Sequence, residues 1–537
     1  MEIRKLLVAN RGEIAVRVFA TCERLGIGTV AVAAPDDLAA LHVRRAGETV
    51  EIASYLDAGE HVRAAEKSRA DAIHPGYGFI AENADFAAVV EAAGLAWVGP
   101  PPEVLRASGD KLEAKRIAAE AGVPVVPEGS AEEIGFPLVV KAAAGGGGRG
   151  MRVVREPTEL EEALAAAKRE AEAAFGDHRV FCERYVERPR HVEVQLLGDT
   201  AGTIVQLGER DCSVQRRHQK VLEESPSPAV TPETRAALAG AAVNFARAVG
   251  YVGAGTAEFM LEDESFWFLE LNARIQVEHP VTELVTGVDL VEQQLRVAGG
   301  GTLDLDPVEA SGHAVEARLY AEDARSFLPQ AGRLEHLRLP EEVRVDTGVE
   351  AGDEVPVAYD PMIAKLIAHG DSREEAFDRL ASALRETEVR GVATNLPFLR
   401  WLVDHPVLRA GEATTRFLEE YPPLSRPPRV SGPWADGWRA NGRTAENRSL
   451  LTVEATARSA EASAGEQSVV KAPMPGVVLR VLTAEGDRVQ ARQPLVLLEA
   501  MKMETPLVSP YEASVRRVHV AEGDRVAGGA VLVELEE

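Results

Sequence analysis

Apolar and polar positions change period along this chain, and the changes mark its elements. Near the N-terminus "KLLVA" (5–9) is a short apolar run, Gly12 breaks it, and "EIAVRVFATCERLG" carries apolar residues at helical spacing before a second run, "TVAVAA". This β-α-β order predicts a parallel sheet. A similar alternation continues through "ADAIHPGYGFIAENADFAAVVEAAGLAWVGP". A second unit, from about 113 to 185, sets the strand pair "PLVVKAAAGGGGRGMRVV" before the helical "TELEEALAAAKREAEAAF". Longer hairpins follow from 190 to 330, then a mixed segment to about 421.

Beyond 421 the pattern breaks. "YPPLSRPPRVSGPW" and "ARSAEASAGEQS" are rich in Pro, Ser, Ala and Gly, as linkers are, with "WADGWRANGRTAENRSLLTVEA" between them. After 468 short apolar strands return, and "AEGDRV" at 484–489 recurs at 521–526. Two similar halves, joined near residue 502, predict a pseudo-twofold barrel or sandwich. The join reads "VLLEAMKMETPLV". Tight hairpin tips favour Asn-Gly or Asp-Gly, whose residues accept positive φ. Met501-Lys502 offers neither, which leaves the Lys502 side chain as the feature to explain.

A length of 537 residues suggests roughly three or four domains at about 150 residues each. Hydrophobic content of 45% with 27% charged residues suits globular domains with sizeable cores. The net charge of −26 argues against nucleic-acid and anionic-membrane partners. Cys22, Cys182 and Cys212 form no C-x-x-C pair, which fits a reducing compartment and argues against structural zinc. Charges interrupt the first apolar run, unlike a secretory signal, and no run reaches the roughly 18 apolar residues of a membrane span. The expectation is a soluble, cytoplasmic protein.

Three stretches could carry chemistry. Gly145–Gly150 fits G-x-G-x-x-G by letter but precedes a strand-like run, so it reads either as a flexible turn or as a mobile hairpin covering phosphates, with Lys141 just before it. From Glu270 to Glu278, polar and apolar residues alternate over nine positions. On a strand, Glu270, Asn272, Arg274, Gln276 and Glu278 would share one face. A half-exposed strand gives such alternation too, but two carboxylates, two amides and a guanidinium favour function. The preceding hairpin can bring Glu258 opposite Glu270, and with Asn272 this makes an oxygen-ligand set for Mg²⁺. "CSVQRRHQK" concentrates Arg216, Arg217, His218 and Lys220, either for a small anion such as phosphate or bicarbonate or as a solvated charge run. His74, His191, His218 and His279 have no metal-ligand spacing, no G-x-S-x-G elbow is present, and no cysteine has a local partner.

With "ANRGEIAVR", "HPGYGF", "GDK", "GGGGRGM", "ERDCSVQRRHQK", "ELNARIQVEHPVTE", "GHAVEARLYAED" and "EAMKMET" in this order, the chain resembles a biotin-dependent carboxylase subunit. In that family a biotin carboxylase of the ATP-grasp superfamily is fused to a biotin carboxyl carrier domain. The resemblance covers about 1–421 and 468–537. It implies an α/β and α+β architecture: a Rossmann-like N-terminal domain (1–112), an ATP-grasp lid (113–185) and core (186–312), and a biotin carboxylase C-terminal domain (313–421). A linker or shortened docking segment (422–467) then leads to an all-β, flattened biotinyl/lipoyl-like barrel (468–537).

The resemblance also implies roles. Lys111 and Lys141 would meet ATP phosphates under a lid containing Gly147 and Gly148. Glu183, Arg184, Tyr185 and Val186 would meet the adenine, and His191, Gln215 and His218 would add nucleotide contacts. Glu258, Glu270 and Asn272 would hold Mg²⁺, for which Mn²⁺ can substitute. Lys220, Arg274, Gln276, the Val277 backbone and Arg318 would surround bicarbonate and biotin, with Glu278 as general base and Lys502 as the biotinylated residue. ATP would activate bicarbonate as carboxyphosphate, and the biotin would carry the carboxyl group to a separate carboxyltransferase of the acetyl-, propionyl- or methylcrotonyl-CoA class. A biotin protein ligase would be a further partner, and the carboxylase domains would form a homodimer within a hetero-oligomer. Alternatives are the equivalent subunit of a pyruvate or other oxo-acid carboxylase, and a non-catalytic swinging-arm carrier or scaffold.

Overall fold

The computed structural model describes residues 2–143, 151–175, 177–216, 219–305, 308, 310–425, 469–472, 476–491, 493–500, 503–526 and 529–536. The sites expected at Gly147, Gly148, His218 and Lys502 lie outside them. The opening alternation forms a parallel sheet of β1 (Lys5–Val8), β2 (Gly28–Ala33), β3 (Glu48–Glu51), β4 (Ala72–His74) and β5 (Ala96–Trp97), in the order β3-β2-β1-β4-β5. The helix Gly12–Leu25 follows β1 and ends on Gly26, whose φ of 71° is the left-handed cap that glycine supplies cheaply. In the second unit β6 (Leu138–Ala142) pairs antiparallel with β7 (Arg152–Val154) and β8 (Val180–Arg184). The helix Leu160–Phe175 packs over this small sheet through Ala167 onto Leu138, Val140 and Val154.

Most of the polar chemistry sits on one large antiparallel sheet. Its strands are β9 (Arg190–Gly198), β10 (Ile204–Arg216), β11 (Gln219–Ser225), β12 (Gly253–Glu262), β13 (Ser265–Asn272), β14 (His313–Tyr320), β15 (Arg344–Thr347) and β16 (Met362–Gly370). They run in the order β13-β12-β9-β10-β11-β14-β16-β15. The sheet shares a core with the parallel one: Leu7, Val30, Phe86 and Trp97 pack in one cluster with Val192, Val194, Phe245, Phe259 and Phe268. Phe245 and Phe268 stack at 4.5 Å, and Phe259 meets Phe268 edge-on at 6.0 Å. Burying rings of this size contributes about 1.5–3 kcal/mol each, so the β12–β13 hairpin, which carries Glu258 and Glu270, rests on a rigid base. Among the described residues, no helix is long and apolar enough to cross a membrane.

The C-terminal module explains its own repeat. Val469–Lys471, Val531–Glu536, Ala513–Val518 and Arg488–Val489 form one sheet; Met503–Val508, Pro494–Ala500, Gly476–Val481 and Arg525–Val526 form the other. The short strand after each "EGD" therefore joins the sheet built mainly by the opposite half. Gly486, with φ 91°, donates its N–H to Val515 at 2.8 Å, and Gly523, also 91°, donates to Val478 at 2.7 Å. Asp487 and Asp524 each accept a backbone N–H at 2.7 Å, from Ala484 and Ala521. The two halves are thus latched by equivalent turns, and Ala500 pairs with Met503 across the Met501-Lys502 connection.

Candidate active site

The β12–β13 hairpin shows how local sequence makes geometry. Glu262 pairs with Ser265 around the Asp263-Glu264 tip, where Asp263 takes a φ of 55°. Pairing runs in step to Phe259 opposite Phe268, then shifts by one residue so that Glu258 faces Glu270. Leu269 is the extra residue of this bulge. Without it Leu269 would stand opposite Glu258, and the two carboxylates would be out of register.

The expectation that residues 270 to 278 continue as one strand is corrected here. β13 ends at Asn272, and 273–278 run irregularly into the helix His279–Thr286. The backbone groups that a neighbouring strand would have taken are bonded by side chains from elsewhere. Glu82 accepts the Ala273 N–H at 3.0 Å, Lys365 donates to the Val277 carbonyl at 2.7 Å, and His279 bonds the Gln276 carbonyl at 2.7 Å. The polar side chains still converge, because Glu270, Asn272, Arg274, Gln276 and Glu278 all line one cavity of about 990 Å³.

Lys111, Lys141, Glu183, Arg184, Tyr185, Val186, His191, Gln215, Lys220, Glu258, Val277 and Arg318 line the same cavity. Glu278, with no solvent exposure, lies between two cations: Lys220 Nζ at 2.6 Å from Oε1 and Arg318 Nη2 at 2.8 Å from Oε2. Burial opposes its charge, but Lys220 and Arg318 together hold its pKa well below the usual carboxylate range. Lys220 also donates to Glu258 at 2.8 Å and to Glu193. Arg274 is held by Glu82, Gln276 and Asn272, each at 3.1 Å. Burial opposes charge on His191, yet Glu258 Oε2 at 3.0 Å pushes its pKa up. Gln215 donates to the Cys212 carbonyl at 2.9 Å.

The alternative reading of 212–220 as a solvated charge run is corrected here. Arg217 and His218 lie outside the described residues. Arg216 is buried, paired with Glu322 and stacked over Tyr320 at 5.1 Å, and Lys220 serves three carboxylates. Buried cations need such partners, so an entering anion must compete for them.

At the other end of the cavity Lys141 is 2.5 Å from Glu183, which also pairs with Lys115. Burial, then the charges of Lys115 and Lys111, push the Lys141 pKa down to about 7. A bound polyphosphate reverses that balance. At pH 8, above the free value, Lys141 is mostly neutral, so nucleotide binding should take up a proton. Calorimetric titration in buffers of different ionisation enthalpy should read an uptake that falls away as the pH drops below 6.

A divalent cation fits the Glu258–Glu270 pair. Burial and then Glu258 push the Glu270 pKa up, and its nearest ammonium, Lys111, stands 3.9 Å away, beyond hydrogen-bond length. Asn272 offers a third oxygen nearby. Sequence reasoning missed Glu193, Glu82 and Lys115. Glu193 was legible, since "HVEVQ" alternates and puts His191, Glu193 and Gln195 on one face of β9. Arg210, fully buried, fixes Glu193 at 2.6 Å and bonds Gln195, Thr282 and Thr256.

Four family descriptions match: "Biotin carboxylase, N-terminal domain" over 2–105, "Carbamoyl-phosphate synthase L chain, ATP binding domain" over 110–306, "Biotin carboxylase C-terminal domain" over 316–420 and "Biotin-requiring enzyme" over 468–535. The biotin carboxylase of Haemophilus influenzae is 47% identical over 441 residues, 78% of this chain and 98% of its own. The chain belongs to the biotin carboxylase family. Members of the biotin carboxylase family are ATP-dependent carboxylating ligases, and here the ATP-grasp body is joined to a biotin-type carrier domain. The alpha subunit of methylcrotonoyl-CoA carboxylase from Oryza sativa is 48% identical over 445 residues, 78% of this chain. This chain spans about 60% of that relative's length. Among solved structures, the biotin carboxylase domain dimer of Hydrogenobacter thermophilus 2-oxoglutarate carboxylase, in complex with MgADP, ADP and bicarbonate, superposes with a TM-score of 0.76. It is 42% identical and covers 79% of this chain and 98% of its own.

Proposed function

We propose that this chain uses ATP to activate bicarbonate and passes the carboxyl group to a biotin tethered at Lys502, for delivery to a separate acyl-CoA carboxyltransferase subunit. The observation that carries this reading is a buried carboxylate, Glu278, held between Lys220 and Arg318 in a cavity that also contains the Glu258–Glu270 pair. Tightly paired with two cations, Glu278 is a weak base. An anion entering beside Lys220, Arg274 and Gln276 draws those cations toward itself, and the Glu278 pKa rises just when a proton must be removed. Glu278 then accepts the bicarbonate proton, and the freed oxygen attacks the terminal phosphorus of ATP as the bond from that phosphorus to the bridging oxygen breaks and ADP leaves. Glu258, Glu270 and Asn272 would hold Mg²⁺, which neutralises and orients the triphosphate. Lys111 and Lys141 steady the phosphates, and Arg318 would face the ring of a bound biotin, whose ureido group would supply the carboxyl-accepting nitrogen. The proposed place of action is the cytoplasm, as a dimer of carboxylase domains with its carboxyltransferase partner.

A second acceptor class, the oxo acids, is favoured by the similarity to the 2-oxoglutarate carboxylase domain. Relatives named for an acyl-CoA and for an oxo acid share this body, which supports selection of the acceptor by the partner. The test uses the full-length protein made with a biotin ligase. Intact mass should show one biotin, and ATP hydrolysis should require bicarbonate, Mg²⁺ and biotin together. ATP binding without bicarbonate-dependent hydrolysis would rule the reading out.

A further inference from the structure

Beside the base lies a second pair of carboxyl groups that the chemistry above does not use. Glu223 on β11 and Glu316 on β14 stand directly opposite each other in the antiparallel pairing. Both are fully buried; among the described residues neither oxygen of Glu316 has a hydrogen-bond partner, while Glu223 meets the Arg318 guanidinium. Two such groups side by side cannot both stay ionised without a cation.

The nearby cations are nearly all committed. Lys365 is 2.7 Å from Glu13 and donates to the Val277 carbonyl at 2.7 Å. Lys220 serves Glu193, Glu258 and Glu278. Arg318 remains, two residues from Glu316 on the same face of β14. One nitrogen, its Nη2, lies 2.6 Å from Glu223 Oε1 and 2.8 Å from Glu278 Oε2. The general base and Glu223 therefore divide a single guanidinium.

We propose that Glu223 is a positioning residue for the carboxylation reaction: it draws part of Arg318 away from Glu278, keeping that base strong enough to act and Arg318 free to turn toward the ring of a bound biotin. The proposal rests on the roles given above to Glu278 and Arg318. The groups facing Glu223 are Arg318 and Glu316 from β14, Glu278 from the irregular segment and Lys220 from its own strand. Burial pushes the Glu316 pKa far up, which makes it a neutral acid. Burial also pushes Glu223 up, to about 7, against the pull of Arg318.

This predicts a particular pH dependence. Above pH 7 Glu223 is charged and shares Arg318. As pH falls through about 7 it gains a proton, Arg318 reverts to Glu278, and turnover drops. Glu223→Gln keeps the shape and imitates the protonated state at every pH. With bicarbonate held saturating, the full-length wild-type protein should exceed Glu223→Gln by roughly tenfold at pH 8.5, one unit of base strength, and the ratio should approach one below pH 6. A ratio that stays constant across this range, at any value, overturns the proposal, because a purely structural defect lowers the rate without regard to pH. If Glu223→Gln does not fold, Glu223→Asp is read instead. It should shift the wild-type step near pH 7, and an unshifted step overturns the proposal equally. Absence of bicarbonate-dependent turnover in the wild-type protein would instead sink the carboxylase reading itself, so the two failures are distinguishable.

Discussion

Glu278→Gln should lower bicarbonate-dependent ATP hydrolysis by about 10²- to 10⁴-fold, the range for losing a general base. Glutamine has the shape of glutamate, and its one carbonyl oxygen can still accept from Lys220 or from Arg318, though its NH₂ group cannot accept from the other; the near-equal size should let the cavity keep its form. What disappears is the charge that stands 2.6 Å from Lys220 and 2.8 Å from Arg318, and with it the capacity to take a proton. Nucleotide affinity should stay within a few-fold, since Lys111, Lys141 and the Glu258–Glu270 pair are untouched. Calorimetry measures the affinity and a coupled phosphate assay the rate. Hydrolysis within tenfold of wild type would mean that another group removes the proton, and the assignment of Glu278 would fall.

How much of this was legible without coordinates depends on where each backbone hydrogen bond goes. The parallel sheet and the β12–β13 hairpin could be read because their pairing partners are close in sequence or share an obvious period. The reversal in direction around Asp263 and the apolar run "SFWFLE" suffice to bring Glu258 toward Glu270. The Leu269 bulge that completes the alignment leaves no mark in the alternation, since the pattern looks the same with or without it. The segment 273–278 misled for a related reason. Its alternation is real in side-chain terms, but Glu82 and Lys365 satisfy its backbone from 191 and 88 residues away. Distance of that kind cannot be read from period. Glu223 was hidden differently: "VLEES" places two acids in succession, and only the pairing with β14 shows that Glu223 points at Arg318 while Glu224 bonds His313 and Arg373. In the terminal module the repeated "AEGDRV" was a sufficient clue, because each copy makes the same Asp-capped turn against the opposite half.

Lys502→Arg should uncouple the two ends of the chain. Arginine keeps the positive charge at the hairpin connection, where the paired strands Pro494–Ala500 and Met503–Val508 fix the backbone on either side, so the carrier fold should persist. It offers no amine for an amide bond to biotin, and intact mass should show none attached. Hydrolysis that depends on the tethered group should fall steeply, yet the body should still respond to free biotin. The size of the effect follows from tethering, which holds a linked group at an effective concentration on the order of millimolar. At about 10 μM free biotin, turnover should therefore be roughly 10²-fold below that of the biotinylated wild type, and millimolar free biotin should restore most of it. Failure of free biotin to rescue the variant, with ATP binding intact, would separate the carrier from the cavity and leave Lys502 without the role proposed for it. Rescue to the wild-type rate at micromolar free biotin would be equally damaging, because it would show that the cavity gains nothing from having its acceptor attached.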